Sequence, residues 1–126
     1  MKVKFWGVRG SVPAPLTPVQ VEEKIYRALV QFDKFPDLHE EGAIRDWMKS
    51  NLSFAERSTF GGNTTCVEVR CKDMLFILDM GTGIRELGLS LMPETFKNKG
   101  VQGTILQSHV HWDHIQGYPF LPQLYM

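Results

Sequence analysis

The first residues of the chain alternate between charged and apolar side chains. Residues 2–6 read Lys-Val-Lys-Phe-Trp, a pattern that predicts a half-buried strand with Val3 and Phe5 toward the core. Gly7 and Gly10 end this strand, and the two prolines that follow predict a loop, because proline removes ladder donors and favours extended neighbours.

Helical periodicity replaces the alternation after this loop. Thr17, Pro18 and Gln20 fit an N-cap, a first-turn proline and a capping-box partner, and they predict a helix over residues 18–33. Its apolar residues recur at intervals of four, four and three: Val21, Ile25, Leu29 and Phe32. We expect this stripe to cover another surface.

A second helical pattern follows over residues 40–52. Asp37 and Glu40 repeat the capping-box spacing, and four apolar residues continue at helical intervals: Ile44, Trp47, Met48 and Leu52. We interpret residues 17–57 as a helical insertion within a single partial domain spanning residues 1–126.

The pattern from Gly61 onward is strand, turn, strand, helix, strand. Residues 66–71 alternate, residues 72–73 predict a turn, and the apolar run at 74–79 predicts a strand covered on both faces. Residues 81–83 then bend the chain into a short helix that we expect to end near Pro93, with three residues inward: Ile84, Leu87 and Leu91. A last strand is predicted over 104–108, so the fold class is α/β.

Composition places the chain among globular proteins. It has 126 residues, of which 43% are hydrophobic and 22% charged, and these numbers allow one small domain or part of a larger one. Fourteen basic residues balance fourteen acidic ones, so no diffuse positive field supports nucleic-acid binding, although composition leaves it open.

Targeting signals and disulfides are not predicted. The chain has no run of about 18 apolar residues and no signal-peptide core, so we expect a cytoplasmic protein that does not bind membranes. Cys66 and Cys71 are five apart in a predicted strand, which places them on opposite faces, and we interpret them as free thiols.

Three of the four histidines lie within six residues. They belong to the segment His109-Val110-His111-Trp112-Asp113-His114, which directly follows the last predicted strand. Imidazole nitrogens and a carboxylate oxygen suit Zn²⁺ and also manganese or iron. Alternation places His109 and His111 on one side, where they provide two ligands for one ion, while Asp113 and His114 turn toward a second.

The histidine spacing has two other interpretations. The cluster is alternatively a histidine-rich surface loop or a set of hydrogen-bonded core histidines. His39 stands apart in the polar segment between the predicted helices, and we interpret it as solvated.

The spacing His-x-His-x-Asp-His after a short apolar strand resembles the signature of the metallo-β-lactamase fold superfamily. Three further parts of the chain resemble that superfamily in order: Lys4-Phe5-Trp6-Gly7 with Arg9-Gly10-Ser11, then Gly61-Gly62-Asn63-Thr64, then Leu78-Asp79-Met80-Gly81-Thr82-Gly83. The combination is most similar to the phosphodiesterase-like branch, which includes cyclic-phosphate and cyclic-nucleotide phosphodiesterases and tRNA 3′-processing ribonucleases.

This resemblance implies a fold, a cofactor and a reaction. The fold is an αββα sandwich with a mixed sheet, and the cofactor is two divalent metal ions, zinc first and manganese or iron as alternatives. In family members, the residues that correspond to His109 and His111 bind the first ion, and the residues that correspond to Asp113 and His114 bind the second. A hydroxide that bridges the ions attacks the phosphorus of a small phosphodiester, and Asp113 also orients this nucleophile.

Four other residues have weaker assignments. By this resemblance Asp79, at the end of its strand, orients the ligand histidines; alternatively it caps the glycine turn. Asn63 contacts substrate or adopts a turn with positive φ. Trp112 shapes the pocket or packs against the insertion, and Arg9 meets a phosphate or lies on the surface.

The chain departs from the family pattern in its length. Family members continue for about as long again and supply a third histidine for the first ion, a bridging aspartate and a final histidine. We therefore expect an N-terminal half whose site is completed by a missing C-terminal half or by another chain, including a second copy in a homo-oligomer.

The preferred function is a dinuclear metal-dependent hydrolase of a phosphodiester such as a cyclic nucleotide. One alternative is a catalytically incomplete fragment or split subunit that acts as a metal-binding or assembly module. Another is a ribonuclease of the tRNA 3′-processing type.

Overall fold

Four strands form one mixed sheet. The computed structural model describes residues 1–31 and 40–126. The strands are β1 (Lys2–Gly7), β2 (Cys66–Cys71), β3 (Met74–Leu78) and β4 (Thr104–Leu106). They lie in the order β1-β2-β3-β4, with antiparallel pairs β1–β2 and β2–β3 and a parallel pair β3–β4. The predicted α/β class is confirmed.

Helices precede and follow the central strands. They are α1 (Pro18–Val30), α2 (Ala43–Asn51), α3 (Phe54–Arg57), α4 (Gly83–Asn98) and α5 (Trp112–Ile115), followed by single-turn 3-10 helices at Tyr118–Phe120 and Pro122–Tyr125. Within the described ranges, no helix has both the length and the apolar character needed to cross a bilayer.

The chain divides into two compact units. The first comprises residues 1–15 and 61–126 and contains the sheet, α4, α5 and the 3-10 helices, while the second comprises residues 16–60 and contains α1, α2 and α3. The predicted insertion at 17–57 lies within the second unit.

The core of the first unit lies between one face of the sheet and α4. Seven buried residues form it: Cys66, Leu75, Ile77, Ile84, Leu87, Leu91 and Leu121. The α4 residues predicted to face inward are therefore confirmed. Burial raises the pKa of the Cys66 thiol to about 12, and both cysteines are free, as expected.

The opposite face of the sheet is apolar but half-buried or exposed. Cross-strand pairing places these residues on it: Val3, Phe5, Val67, Val69, Phe76, Leu78 and Leu106. The prediction that Val3 and Phe5 point to the core is wrong, since Phe5 is 66% exposed and α4 covers the other face. The predicted coverage of the 74–79 strand on both faces is wrong for the same reason.

Helix α4 does not end near Pro93 as predicted. It continues to Asn98, with Pro93 inside it. Leu91 and Thr95 are buried on either side of the proline, and the Thr95 hydroxyl donates to the Leu91 carbonyl. This packing outweighs the one backbone hydrogen bond that proline removes.

The predicted capping of α1 is confirmed. The Thr17 side chain accepts from the Gln20 amide, Gln20 reaches back to the Thr17 amide, and Pro18 occupies the first turn. No residue of α1 is buried, and Val21, Ile25 and Leu29 are exposed, so the surface that this stripe covers stays a prediction. Phe32, the end of this stripe, lies outside the described residues.

The second predicted helix begins later than expected. Helix α2 starts at Ala43, with Gly42 as its N-cap in a left-handed conformation, rather than at Glu40. Asp37 and His39 lie outside the described residues, so the predicted cap and the solvated histidine stay predictions. Helix α3 was not predicted, although Ser53 and Glu56 form a complete capping box at its start.

The last strand is shorter than the predicted 104–108. Strand β4 ends at Leu106, and Gln107 and Ser108 leave the ladder to donate hydrogen bonds to Asp79. Strand β3 likewise ends at Leu78, because Asp79 has a φ of 62° and turns out of the extended conformation. Because β3 and β4 end side by side, the histidine segment begins next to Asp79.

A polar network on the covered side of the sheet gives a test of acid stability. Glu68 accepts from Trp6 Nε1 at 2.9 Å and from Arg70 Nε at 2.9 Å, and Arg70 also pairs with Glu94 of α4. Burial alone would raise the pKa of Glu68, but the hydrogen bonds from Arg70 and Trp6 outweigh it and lower the pKa.

We predict that Glu68→Gln lowers the free energy of unfolding by about 1–3 kcal/mol at pH 7. Because folding lowers this pKa, the wild-type advantage exists above about pH 4.5 and is lost as pH falls through the folded-state value. Urea unfolding at several pH values measures it, with Glu86→Gln, in an exposed ion pair, as control. A constant difference down to pH 3 contradicts the account.

Candidate metal centre

The residues predicted as ligands come together where the chain leaves β4. His109 Nε2 lies 3.2 Å from His111 Nδ1, and His114 Nε2 lies 3.3 Å from Asp113 Oδ2. The His109 and His114 ring centroids are 4.0 Å apart, which joins the two pairs in one cluster. His109 and His111 are exposed, and Asp113 and His114 are half-buried.

The Asp79 carboxylate anchors this cluster from below. Oδ1 accepts from the Ser108 amide at 2.7 Å and from Gln107 Nε2 at 3.0 Å. Oδ2 accepts from the Ser108 hydroxyl at 2.9 Å and lies 2.8 Å from His114 Nδ1. Asp79 is only 5% exposed, so these contacts replace the water that a buried carboxylate loses.

The contact with Asp79 determines the tautomer of His114. A carboxylate only accepts, so neutral His114 carries its proton on Nδ1 and donates it to Asp79. The lone pair of His114 is then on Nε2, the nitrogen next to Asp113. Carboxylate–histidine pairs of this kind orient metal-binding imidazoles.

Ser108 extends the same arrangement to His109. Its hydroxyl donates to Asp79 Oδ2 and lies 3.0 Å from His109 Nδ1. Because the Ser108 hydroxyl donates its proton to Asp79, its oxygen acts as the acceptor for His109 Nδ1. The lone pair of His109 therefore also lies on Nε2, facing His111.

Backbone contacts hold α5 against the turn after Asp79. The Met80 amide donates to the His114 carbonyl at 2.7 Å, and the Gly117 amide donates to the Met80 carbonyl at 2.9 Å. A Cβ on Gly117 would lie 2.1 Å from the Gly81 carbonyl oxygen, so only glycine permits this approach.

Two carboxylates of the cluster stay ionised to lower pH than usual. Burial would raise the pKa of Asp79, but hydrogen bonds from the Ser108 backbone and His114 outweigh it and lower the pKa. The Ser11 amide, which donates to Asp113 Oδ2 at 2.9 Å, lowers the pKa of Asp113. Both carboxylates are therefore anionic at neutral pH.

The donor set fits divalent cations as pairs. In a tetrahedral site with metal–nitrogen bonds of about 2.0–2.1 Å, two ligand nitrogens lie about 3.3 Å apart, close to the His109–His111 separation, and the similar length of metal–oxygen bonds gives a similar spacing for the nitrogen and oxygen of His114 and Asp113. Among the described residues, no group of three or more His, Cys, Asp or Glu side chains is placed to hold one metal ion. Each pair therefore offers two donors rather than a closed coordination shell.

The weaker site predictions have mixed outcomes. Asn63 is not among the residues with positive φ, so its predicted turn role is wrong; its side-chain oxygen instead accepts from the Thr82 hydroxyl at 3.0 Å. Arg9 Nε donates to the Gly61 carbonyl at 3.1 Å and ties two loops together. Trp112 begins α5 and is 71% exposed.

Three residues that matter here were not predicted. Ser108 and Gln107 reach Asp79 only because β3 and β4 pair in the observed register, and Ser11 reaches Asp113 across 102 positions. The sequence held two signals, a small hydroxyl residue directly before the first histidine and Ser11 within the family-like segment Arg9-Gly10-Ser11, but neither indicated a contact partner.

We predict that Asp79→Asn destabilises the chain by about 1–3 kcal/mol, because four donor groups from three residues lose a charged acceptor in a buried position. Asparagine tolerates a left-handed backbone, so the variant isolates the loss of the carboxylate. Chemical denaturation measures the effect, and Asp73→Asn in the exposed β2–β3 turn is the matched control. Equal unfolding midpoints for the two variants contradict the anchoring role.

Comparison of the chain with models of known protein families, with curated proteins and with solved structures found no match.

Proposed function

We propose that the chain carries the ligand segment of a dinuclear metal-dependent hydrolase that acts on phosphodiesters. The observation that carries this proposal is the pair of donor sets at ligand spacing, His109 with His111 and Asp113 with His114. The His-x-His-x-Asp-His spacing resembles the signature of the metallo-β-lactamase fold superfamily, and this resemblance supports the same proposal.

The residues have separate roles in this proposal. His109 and His111 hold one divalent cation, zinc in preference to manganese or iron, and Asp113 and His114 hold a second. Bound cations would acidify a water molecule and neutralise charge on phosphoryl oxygens. Asp79 keeps a proton on His114 Nδ1, and Asp113 orients water through the oxygen that Ser11 does not hold.

The proposed substrate is a small phosphodiester, with a cyclic nucleotide as the first candidate. A formal net charge of zero supplies no field that would gather a long polyanion, so a small substrate is preferred to RNA. A ribonuclease of the tRNA 3′-processing type remains the alternative within the same chemistry. The two free cysteines are consistent with the reducing cytoplasm, which is the compartment we propose.

The remaining ligands are proposed to come from another polypeptide segment. A catalytic zinc site has about three protein ligands, whereas each pair here supplies two. If a second copy of the chain supplies them, metal binding rises with chain concentration and accompanies dimer formation. If a different segment supplies them, the isolated chain binds metal weakly at every concentration.

A second candidate function follows from the same incomplete shells. Because no group of three donors among the described residues is placed to hold an ion, the chain is alternatively a metal-binding or assembly module without its own catalysis. Metal binding without phosphodiester hydrolysis, in the presence of the completing segment, favours this candidate.

The metal content of the gel-filtered chain tests the donor pairs. We predict about one or two divalent ions per chain after incubation with Zn²⁺ and desalting, and a loss of at least one ion in His111→Ala. His39→Ala, which removes the one histidine outside the segment, is the matched control and keeps the wild-type content. If the wild-type chain retains metal, equal content in His111→Ala contradicts the assignment; a metal-free wild-type chain means that the pairs hold an ion only with the completing segment.

Hydrolysis tests the reaction class in the completed protein. We predict that His111→Ala abolishes phosphodiester hydrolysis and that Asp113→Asn slows turnover by at least about 100-fold, since each removes a ligand. Steady-state assays with a chromogenic phosphodiester measure both, with His39→Ala as control. Wild-type rates in both variants would remove these residues from the reaction.

A further inference from the structure

The loop after β1 reaches the metal-ligand segment through a single backbone group. The Ser11 amide donates to Asp113 Oδ2 at 2.9 Å, although 102 positions separate the two residues. The same carboxylate oxygen lies 3.3 Å from His114 Nε2. Ser11 therefore touches the carboxylate of the second donor pair at the atom that faces its partner.

Ser11 holds an unusual backbone conformation to make this contact. Its φ is 56°, in the left-handed region that residues with a side chain rarely adopt. The other described residues with positive φ, glycines apart, are Lys72, Asp79 and Lys99. Lys72 lies in the β2–β3 turn and Lys99 ends α4, where this conformation is ordinary. Ser11 and Asp79 each contact a member of the cluster.

The loop is tied down on both sides of Ser11. The amides of Val8 and Arg9 donate to the Asn63 carbonyl at 3.0 and 2.9 Å, and the Ala14 amide donates to the Gly62 carbonyl at 2.8 Å. A Cβ on Gly62 would lie 2.7 Å from Pro15 N, so this approach requires glycine. Neighbouring contacts thus maintain a strained residue beside the cluster, which is typical of functional sites.

We infer that Ser11 is a positioning residue for the proposed hydrolase: its amide fixes the Asp113 carboxylate opposite His114. The expected effect on cation binding rests on the proposed function. The contact between Ser11 and Asp113 does not depend on it. One lone pair of Oδ2 accepts the amide proton and another stays available. Without the amide the carboxylate rotates about its Cβ–Cγ bond, and the second donor pair loses its spacing.

Amide hydrogen exchange tests the contact without any metal. In metal-free protein, Asp113→Ala is expected to speed exchange of the Ser11 amide by at least about tenfold. The Arg9 amide is the internal control, because its acceptor is the Asn63 carbonyl on the same side of the loop. An unprotected Ser11 amide in the wild type, or equal acceleration at both amides, overturns the inference.

An amide-to-ester replacement tests the consequence. Lactic acid incorporated at position 11 deletes the N–H, and Ser11→Ala is the matched control because it keeps the N–H and has the same side chain as the ester. Zn²⁺ binding to the second donor pair is the step that Asp113→Ala removes, and we expect the ester to weaken this step about 10–100-fold. Zn²⁺ binding to the first pair, the step that His111→Ala removes, is expected to be unchanged.

The two proposals fail in different ways. Equal weakening of both binding steps, or an ester that binds like Ser11→Ala, overturns the positioning role. A wild-type chain that binds no Zn²⁺ when its completing segment is present overturns the proposed function, and the exchange measurement then decides the Ser11–Asp113 contact alone.

Discussion

The buried carboxylate of Asp79 is the group on which the rest of the cluster depends. It accepts from the Ser108 amide and hydroxyl and from Gln107, and it holds His114 at 2.8 Å. Because it only accepts, it dictates which nitrogen of His114 carries the proton, and through Ser108 it does the same for His109. The two imidazoles are thereby left with lone pairs on the nitrogens that face His111 and Asp113.

The parallel pairing of β3 and β4 places Asp79 where it can act. Leu78 pairs with Leu106, so the residues that follow each strand meet at one edge of the sheet. The Asp79 amide donates to the Leu106 carbonyl at 3.0 Å, and the turn through Gly81 brings α5 alongside. The helix α4 that connects the two strands also supplies the core beneath them. One crossover therefore creates both the hydrophobic core and the edge that carries the histidines.

The sequence predicted local features better than tertiary ones. Strand β2, the capping of α1 and the inward residues of α4 follow from spacing and cap chemistry, and the structure confirms them. The covered side of β1 was predicted wrongly, because alternation identifies two faces and does not say which one α4 covers. The prediction that α4 ends near Pro93 was wrong, because the burial of Leu91 and Thr95 compensates for the hydrogen bond that proline cannot donate. The partners of Asp79 and Asp113 depend on register and on a contact across 102 positions, which local pattern does not encode.

The tautomer of His114 is the most direct test of this account. Two-dimensional ¹⁵N–¹H NMR of the metal-free protein, at a pH where the His114 ring is uncharged, distinguishes a protonated ring nitrogen from one that carries a lone pair. The account predicts His114 with its proton on Nδ1 and its lone pair on Nε2, and a loss of this preference in Asp79→Ala. A neutral His114 with its proton on Nε2 and its lone pair on Nδ1 would contradict it, because Asp79 would then face a nitrogen with no proton to donate.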